Sequence, residues 1–202
     1  MVWTAAATVV CLSLVGCAPR TGADADPASA DSIAASANAA GIAPELVFTT
    51  EVDGFDLAAQ SVGLGAADGM TATWFNADTG SMLTIRSDFG ELTEESCIAV
   101  PLWDAPSETV SCADEDGIWH RSGGDTHEYV AVRDGALIWV SGMDGTSQED
   151  LLTAAQNVRV PSEAELEQLF ADVPPGPGEP VERGDLPENG DGAPSNPTGP
   201  GG

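Results

Sequence analysis

Two histidines stand close together in the segment of the chain that is richest in metal-ligating side chains. The candidate ligands are His120, Asp125, His127 and Glu128. Imidazole and carboxylate groups suit zinc or copper. The segment has no His-Glu-x-x-His pattern, and the second Cys/His set that a structural zinc requires is missing. We therefore interpret it as a solvated hairpin loop, and we expect neither a metal site nor a cofactor.

Acidic residues also cluster where calcium could bind. Asp114, Asp116 and Gly117 resemble part of a calcium loop, but an EF-hand register would place its first ligand at Cys112 and its bidentate Glu at Gly123. The EF-hand match therefore fails, and turn chemistry explains the aspartates. A calcium- or metal-dependent binding module stays open as an alternative, with loose ligands drawn from Asp78, Asp114, Glu115 and Asp116.

Nucleophilic catalysis finds little support. The chain has no Gly-x-Ser-x-Gly, and because all six of its basic residues are Arg, a Ser-x-x-Lys site is impossible. Ser122 and His127 could join an Asp in a triad, so a hydrolase stays an alternative to a non-enzymatic protein. Four tryptophans are most simply core and hairpin-pair residues, with a ligand-stacking platform as the functional alternative. They are Trp74, Trp103, Trp119 and Trp139.

The charge balance restricts the partners. The 202 residues carry 6 Lys plus Arg against 33 Asp plus Glu, for a formal net charge of −27. Phosphate binding needs clustered basic side chains, so we expect no nucleic-acid partner and no docking on anionic lipid. Cations or another envelope protein remain open as partners. A large net charge affects the solubility of a protein rather than its fold. We expect a monomer.

The first residues indicate export. Residues 2–16 are apolar or small and uncharged, and about 15 residues are too few to span a bilayer comfortably. They end in Leu14-Val15-Gly16-Cys17, which resembles the lipobox of bacterial lipoproteins, although no basic residue precedes it. The resemblance implies cleavage after Gly16, a lipid on Cys17, and a domain held on the extracytoplasmic face of the cell membrane. A segment near the C-terminus, PVERGDLPENGDGAP, is similar to the ends of uncharacterised secreted or lipid-anchored actinobacterial proteins, and it implies no activity.

Cys97 and Cys112 are the two cysteines of the mature chain that follow Cys17. An even pair in an exported protein indicates a disulfide rather than a redox site, because the Cys-x-x-Cys pattern is missing. The bridge would close a loop of about 15 residues and contribute roughly 3 kcal/mol in the chain-entropy model.

The pattern of strands and helices around these residues predicts an α+β domain over residues 45–171. We predict an antiparallel sheet of about five or six strands, with two C-terminal helices on one face. The predicted strands and hairpins are 45–52, 70–87, 109–121 and 128–141, the last turning at Asp134-Gly135. A short helical turn is expected near Thr93, and capping boxes at Thr146 and Ser162 begin the two helices. Residues 1–16 are assigned to a signal peptide, 17–44 to a low-complexity linker, and 172–202 to a disordered Pro/Gly-rich acidic tail.

Overall fold

The computed structural model describes residues 25–173, which fold around one antiparallel sheet. The strands run in the order β1-β3-β4-β8-β7-β6-β5, and β2 also pairs with β3. Their bounds are β1 Asp56–Leu57, β2 Gly63–Leu64, β3 Met70–Phe75, β4 Met82–Phe89, β5 Ser111–Glu115, β6 Ile118–Gly123, β7 Thr126–Arg133 and β8 Ala136–Met143. The α+β prediction is confirmed, and the count exceeds five or six because β1 and β2 are two-residue strands in the 55–69 segment.

Two tight hairpins follow directly from Asp-Gly pairs. Asp134 and Gly135 have φ angles of 47° and 83°, and Asp116 and Gly117 have φ angles of 57° and 85°. Positive φ at both central residues defines a type I′ turn, whose twist matches that of the flanking strands. The turns therefore fix the β5–β6 and β7–β8 registers from local sequence, as predicted.

Helices cover one face of the sheet, which we call the helix face. They are α1 Ala30–Ala40, α3 Gln148–Gln156 and α4 Glu163–Leu169, whose apolar residues share a core with the strands. The capping box at Ser162 is confirmed, because its hydroxyl accepts from the Glu165 N–H and Glu165 caps the Ser162 N–H. The predicted cap at Thr146 is wrong. Ser147 caps α3 instead, and the Thr146 hydroxyl donates to the Met82 carbonyl, which ties β4 to the start of α3.

The assignment of residues 17–44 to a linker is wrong for residues 25–44. Helix α1 is capped by Ser29, ends at Gly41 in the left-handed region, and buries Ile33 and Ala37 in the main core. The Ser29 N–H also donates to Glu163 at the start of α4. Small alanine side chains let the helix approach its neighbours closely, so a segment of low hydrophobicity still packs. The folded unit therefore begins near residue 25 rather than 45.

The predicted strand over residues 45–52 is also wrong. A single 3-10 turn spans Pro44–Leu46, and the following chain touches its neighbour through one bridge between Thr49 and Arg159. Residues 46–50 are all buried. Because this segment is enclosed on all sides, its run of apolar residues did not mark a half-buried strand.

The two ends of the chain lie outside the described residues. The predicted signal peptide at 1–16, the lipidation site Cys17 and residues 174–202 of the predicted tail therefore stay sequence predictions. Among the helices of residues 25–173, none has the length and apolar character needed to cross a membrane.

Candidate functional site

The opposite side of the sheet, which we call the disulfide face, is covered by the segment between β4 and β5. This segment contains α2 (Glu94–Ala99), which Thr93 caps as predicted. Cys97 of α2 is bonded to Cys112 of β5 with a Cα–Cα distance of 6.2 Å, so the predicted disulfide is present. It closes a loop, residues 97–112, that lies against β6 and β7. We call it the disulfide loop.

A buried ion pair fixes the disulfide loop to the sheet. Arg121 on β6 and Glu128 on β7 are cross-strand neighbours, and their side chains are 0% and 2% exposed with a separation of 2.5 Å. Arg121 also donates to the carbonyls of Cys97 and Val100, and Glu128 accepts from the Trp103 N–H. Burial raises the pKa of Glu128, whereas that N–H and the Arg121 guanidinium oppose the rise. The pair therefore sets the position of the loop backbone.

The loop presents Trp103 to solvent. Its side chain is 59% exposed, although its backbone is anchored by Glu128. The guanidinium carbon of Arg86, on β4, lies 4.1 Å from the centre of the Trp103 ring, which is cation–π geometry. The interpretation of the tryptophans as core residues is confirmed for Trp74 and Trp139, which are buried, and is wrong for Trp103.

A groove of about 410 Å³ opens beside this stacked pair, and we call it the Arg86–Trp103 groove. That size falls within the range of small-molecule sites. Its floor is the disulfide face of β3 and β4, and its walls come from Trp103, β2 and the end of β8. The lining residues are Leu64, Gly65, Ala66, Met70, Thr71, Thr84, Arg86, Ser87, Asp88, Trp103 and Met143.

Arg86, the basic residue of this groove, has no hydrogen-bonding partner among residues 25–173. Arg86 makes no ion pair within the described part of the chain, and its buried Nε has no acceptor. Burial lowers the pKa of Arg86, while the more distant carboxylates of Glu128 and Asp88 raise it, and an arginine stays charged throughout. Trp139, the cross-strand neighbour of Arg86, also has a buried N–H without an acceptor. Two unmet donors thus lie on adjacent strands.

The four predicted metal candidates are divided between the two faces of the sheet. His120 on β6 and His127 on β7 lie on the helix face, whereas Glu128 lies on the disulfide face with Arg121, and Asp125 is in the β6–β7 turn. Both histidines lie in strands: His120 falls in the predicted hairpin 109–121, whereas the interpretation of His127 as a loop residue is wrong. Within residues 25–173 no group of three or more His, Cys, Asp or Glu side chains is placed to hold a metal ion.

The two histidines instead form a stack with Tyr129. His120 Nε2 and His127 Nδ1 share a hydrogen bond of 3.0 Å, and the His120 ring lies 4.8 Å from that of Tyr129. Tyr129 accepts in turn from Gln148 in α3. Burial lowers the pKa of His120 most, Glu115 raises it, and His127 lowers it. The stack links the β6–β7 hairpin to α3.

The residues of the suggested triad are partly brought together. Ser122 and His127 are directly paired across β6 and β7, but the Nδ1 of His127 is bonded to His120. His127 is therefore oriented by a second histidine. In a Ser-His-Asp triad, the histidine that activates the serine is oriented by an aspartate instead.

A second depression, of about 310 Å³, lies between residues 49–57 and α4. Two of its carboxylates have partners, because Glu165 caps Ser162 and accepts from Arg159, and Glu51 also accepts from Arg159, while the third, Asp56, is exposed. Its lining includes no arginine, which distinguishes it from the Arg86–Trp103 groove.

Comparison of the chain with protein-family models gives no match, and comparison with curated proteins gives none either. The Arg86–Trp103 groove is therefore identified as the candidate site by its geometry alone. Sequence reasoning identified Trp103 only as one of four tryptophans and missed Arg86. The available signal was that Arg86 lies in the alternating strand Met82–Phe89, where its cross-strand neighbours, Thr71 and Trp139, carry no charge.

Proposed function

We propose that this protein is a lipid-anchored, extracytoplasmic, non-enzymatic binding module whose ligand site is the Arg86–Trp103 groove. One observation carries the choice of site: an exposed tryptophan is held rigidly beside a guanidinium that has no acceptor, at the mouth of a cavity of small-molecule size. Exposed aromatic and arginine side chains at a concave surface are typical of binding sites.

The apolar lining supports a ligand with an apolar body. Leu64, which is 56% exposed, and Trp103 flank the groove, and Met143 closes one end. Leaving such side chains in water forgoes the burial of apolar surface, about 25 cal/mol per Å². A ligand that covers these side chains gains the free energy of burying their apolar surface. Met143 can also adapt its shape to differing ligands, because methionine side chains are flexible.

A neutral apolar fluorophore tests the site. N-phenyl-1-naphthylamine is titrated against the chain from residue 18 onward, which contains the whole described fold. We expect enhanced emission, and we expect Trp103→Ala to weaken binding about tenfold, equivalent to about 1.4 kcal/mol. The matched control is Phe89→Ala. Phe89 is 57% exposed but does not line the groove, so its removal should leave the affinity unchanged. Equal effects of the two substitutions would reject the groove as the site.

The membrane anchor is supported by Leu14-Val15-Gly16-Cys17, which resembles a lipobox. Two acyl chains give a stable anchor, whereas one chain is marginal. Mass spectrometry of the mature protein should find an N-terminal Cys17 that carries a diacylglyceryl group. An unmodified Cys17 or a retained Met1 would refute the anchor while leaving the binding site to be judged on its own test.

A further inference from the structure

We propose that the Arg86–Trp103 groove is specific for small amphipathic monocarboxylic acids, with the carboxylate bound by Arg86 and the apolar body lying along Trp103. This inference rests on the proposed function of the groove and adds the chemical class of its ligand. It follows from three features of the groove: the partnerless guanidinium, the orientation imposed by Trp103, and the apolar lining.

The guanidinium is the first feature. An arginine presents its donors in a planar fork that matches a carboxylate, and such charge-assisted pairs are stronger than neutral hydrogen bonds. Arg121 and Arg159 both form ion pairs: Arg121 binds Glu128 and loop carbonyls, and Arg159 binds Glu51 and Glu165 through Nη2, although its Nη1 has no acceptor among the described residues. Arg86 is built into the floor of a groove without an equivalent. An oxygen acceptor supplied by a ligand would meet this need.

Trp103 is the second feature, because it orients the guanidinium. Stacking on the indole ring fixes the plane of the Arg86 fork, so less rotamer freedom is lost when an anion binds its edge. The loop backbone that carries Trp103 is itself held by Glu128. The site is therefore organised before a ligand arrives, which favours affinity.

The lining is the third feature, and it determines the polarity and size of the part of the ligand beyond the carboxylate. Leu64, Ala66 and Met143 offer apolar contacts, while Thr71 and Thr84 are the polar residues nearest along the floor strands. A groove at the lower end of the small-molecule range fits an apolar body on the order of ten carbon atoms. Asp88 is the one carboxylate in the lining, and it disfavours ligands with more than one negative charge.

The net charge of the protein makes the test discriminating. A formal charge of −27 attracts cations and repels anions, so nonspecific binding would favour an amine over an acid. Octanoate, 1-octanol and octylammonium share one chain and differ in the head group. Each is used to displace N-phenyl-1-naphthylamine at physiological ionic strength, where long-range charge effects are largely screened. We expect octanoate to bind about tenfold more tightly than octanol, with octylammonium weakest.

Substitutions locate the preference. Arg86→Gln should bring octanoate down to the affinity of octanol, and Arg86→Lys, which keeps the charge without the fork, should retain only part of the preference. Arg133→Gln is the matched control: it removes the same charge from a residue whose guanidinium donates only to the adjacent Val132 carbonyl. It should leave the preference intact.

Three results would overturn the proposal. Equal binding of octanoate and octanol by the unsubstituted protein removes the carboxylate specificity but leaves the groove as an apolar site. A preference that survives Arg86→Gln places the acid elsewhere. Octanoate binding that requires deletion of residues 174–202 identifies the chain's own acidic tail as the occupant. Failure of the fluorophore itself to bind removes the proposed function, and that outcome is distinct from all three.

Discussion

The buried pair of Arg121 and Glu128 gives the most specific stability prediction. Arg121→Met keeps the length and apolar stem of the side chain but deletes the guanidinium that faces Glu128 and the carbonyls of Cys97 and Val100. The Glu128 carboxylate, which is 2% exposed in the intact pair, then loses its ion-pair partner. Breaking a buried pair from one side costs about 3–5 kcal/mol. For a chain of this size that corresponds to a fall in Tm of roughly 10 °C.

Urea unfolding followed by circular dichroism measures the loss. Glu128→Gln should cost less, because an amide oxygen still accepts from the Trp103 N–H. Arg133→Met, a change at a partly exposed arginine, should fall within about 0.5 kcal/mol of the unsubstituted protein. The loss in Arg121→Met should also shrink as the pH falls: an isolated buried carboxyl has a raised pKa, so the folded state binds its proton more readily than the unfolded state. A cost below about 1 kcal/mol would refute the view that this pair holds the loop.

Three further predictions concern the rest of the fold. Reduction of Cys97–Cys112, whose loop has a sequence separation of 15, should lower the free energy of unfolding by about 3 kcal/mol and weaken fluorophore binding, and retained affinity would show that the loop stays in place without the bridge. Burial lowers the pKa of His120 in the folded state. The contribution of neutral His120 to the free energy of unfolding should therefore be full above the unfolded pKa of about 6.5 and decrease as the pH falls below it. In urea titrations between pH 5 and 7.5, His120→Gln should show a smaller change of this free energy with pH than the unsubstituted protein. Ser162→Ala should cost about 1 kcal/mol through loss of the α4 cap, and a cost no larger than that of an exposed serine such as Ser107 would contradict the capping role.

Local sequence rules predicted much of the sheet. Asp116-Gly117 and Asp134-Gly135 each separate two strand-forming segments, where an Asp-Gly pair favours a type I′ turn, so these two hairpins were predictable from the local sequence. The helix α4 was predicted for the same reason, because the Ser162 capping box is a contact within one turn.

The errors arise where distant contacts decide the structure. Helix α1 is Ala-rich and polar, and it becomes part of the fold through distant contacts: Ile33 and Ala37 pack in the main core, and Ser29 donates to Glu163 of α4. His127 and Glu128 looked like one ligand cluster, but consecutive residues of a strand point to opposite faces. The strand was predicted to begin at Glu128, two residues after its observed start at Thr126, so this division between faces was missed.

The candidate site could not be predicted for a related reason. Arg86 and Trp103 are brought together by the disulfide loop and by the β4–β8 pairing, neither of which has a local signal. No spacing of residues in the sequence predicts that the guanidinium of an arginine will lack an acceptor. That property belongs to the folded molecule, because it depends on which acceptors the fold brings within reach of each arginine.

Nuclear magnetic resonance of the Arg86 side chain shows whether a carboxylate ligand binds in the Arg86–Trp103 groove. With ¹⁵N-labelled protein, the Arg86 Nε–H and the Trp103 indole N–H are followed during titration with octanoate. We expect both signals to shift together and to saturate with a stoichiometry of one octanoate per protein. The signal of the buried Trp74 indole, which lies on the helix face, should not shift. Saturable shifts at Trp74 but not at Arg86, or no shift at either groove residue, would contradict binding in this groove.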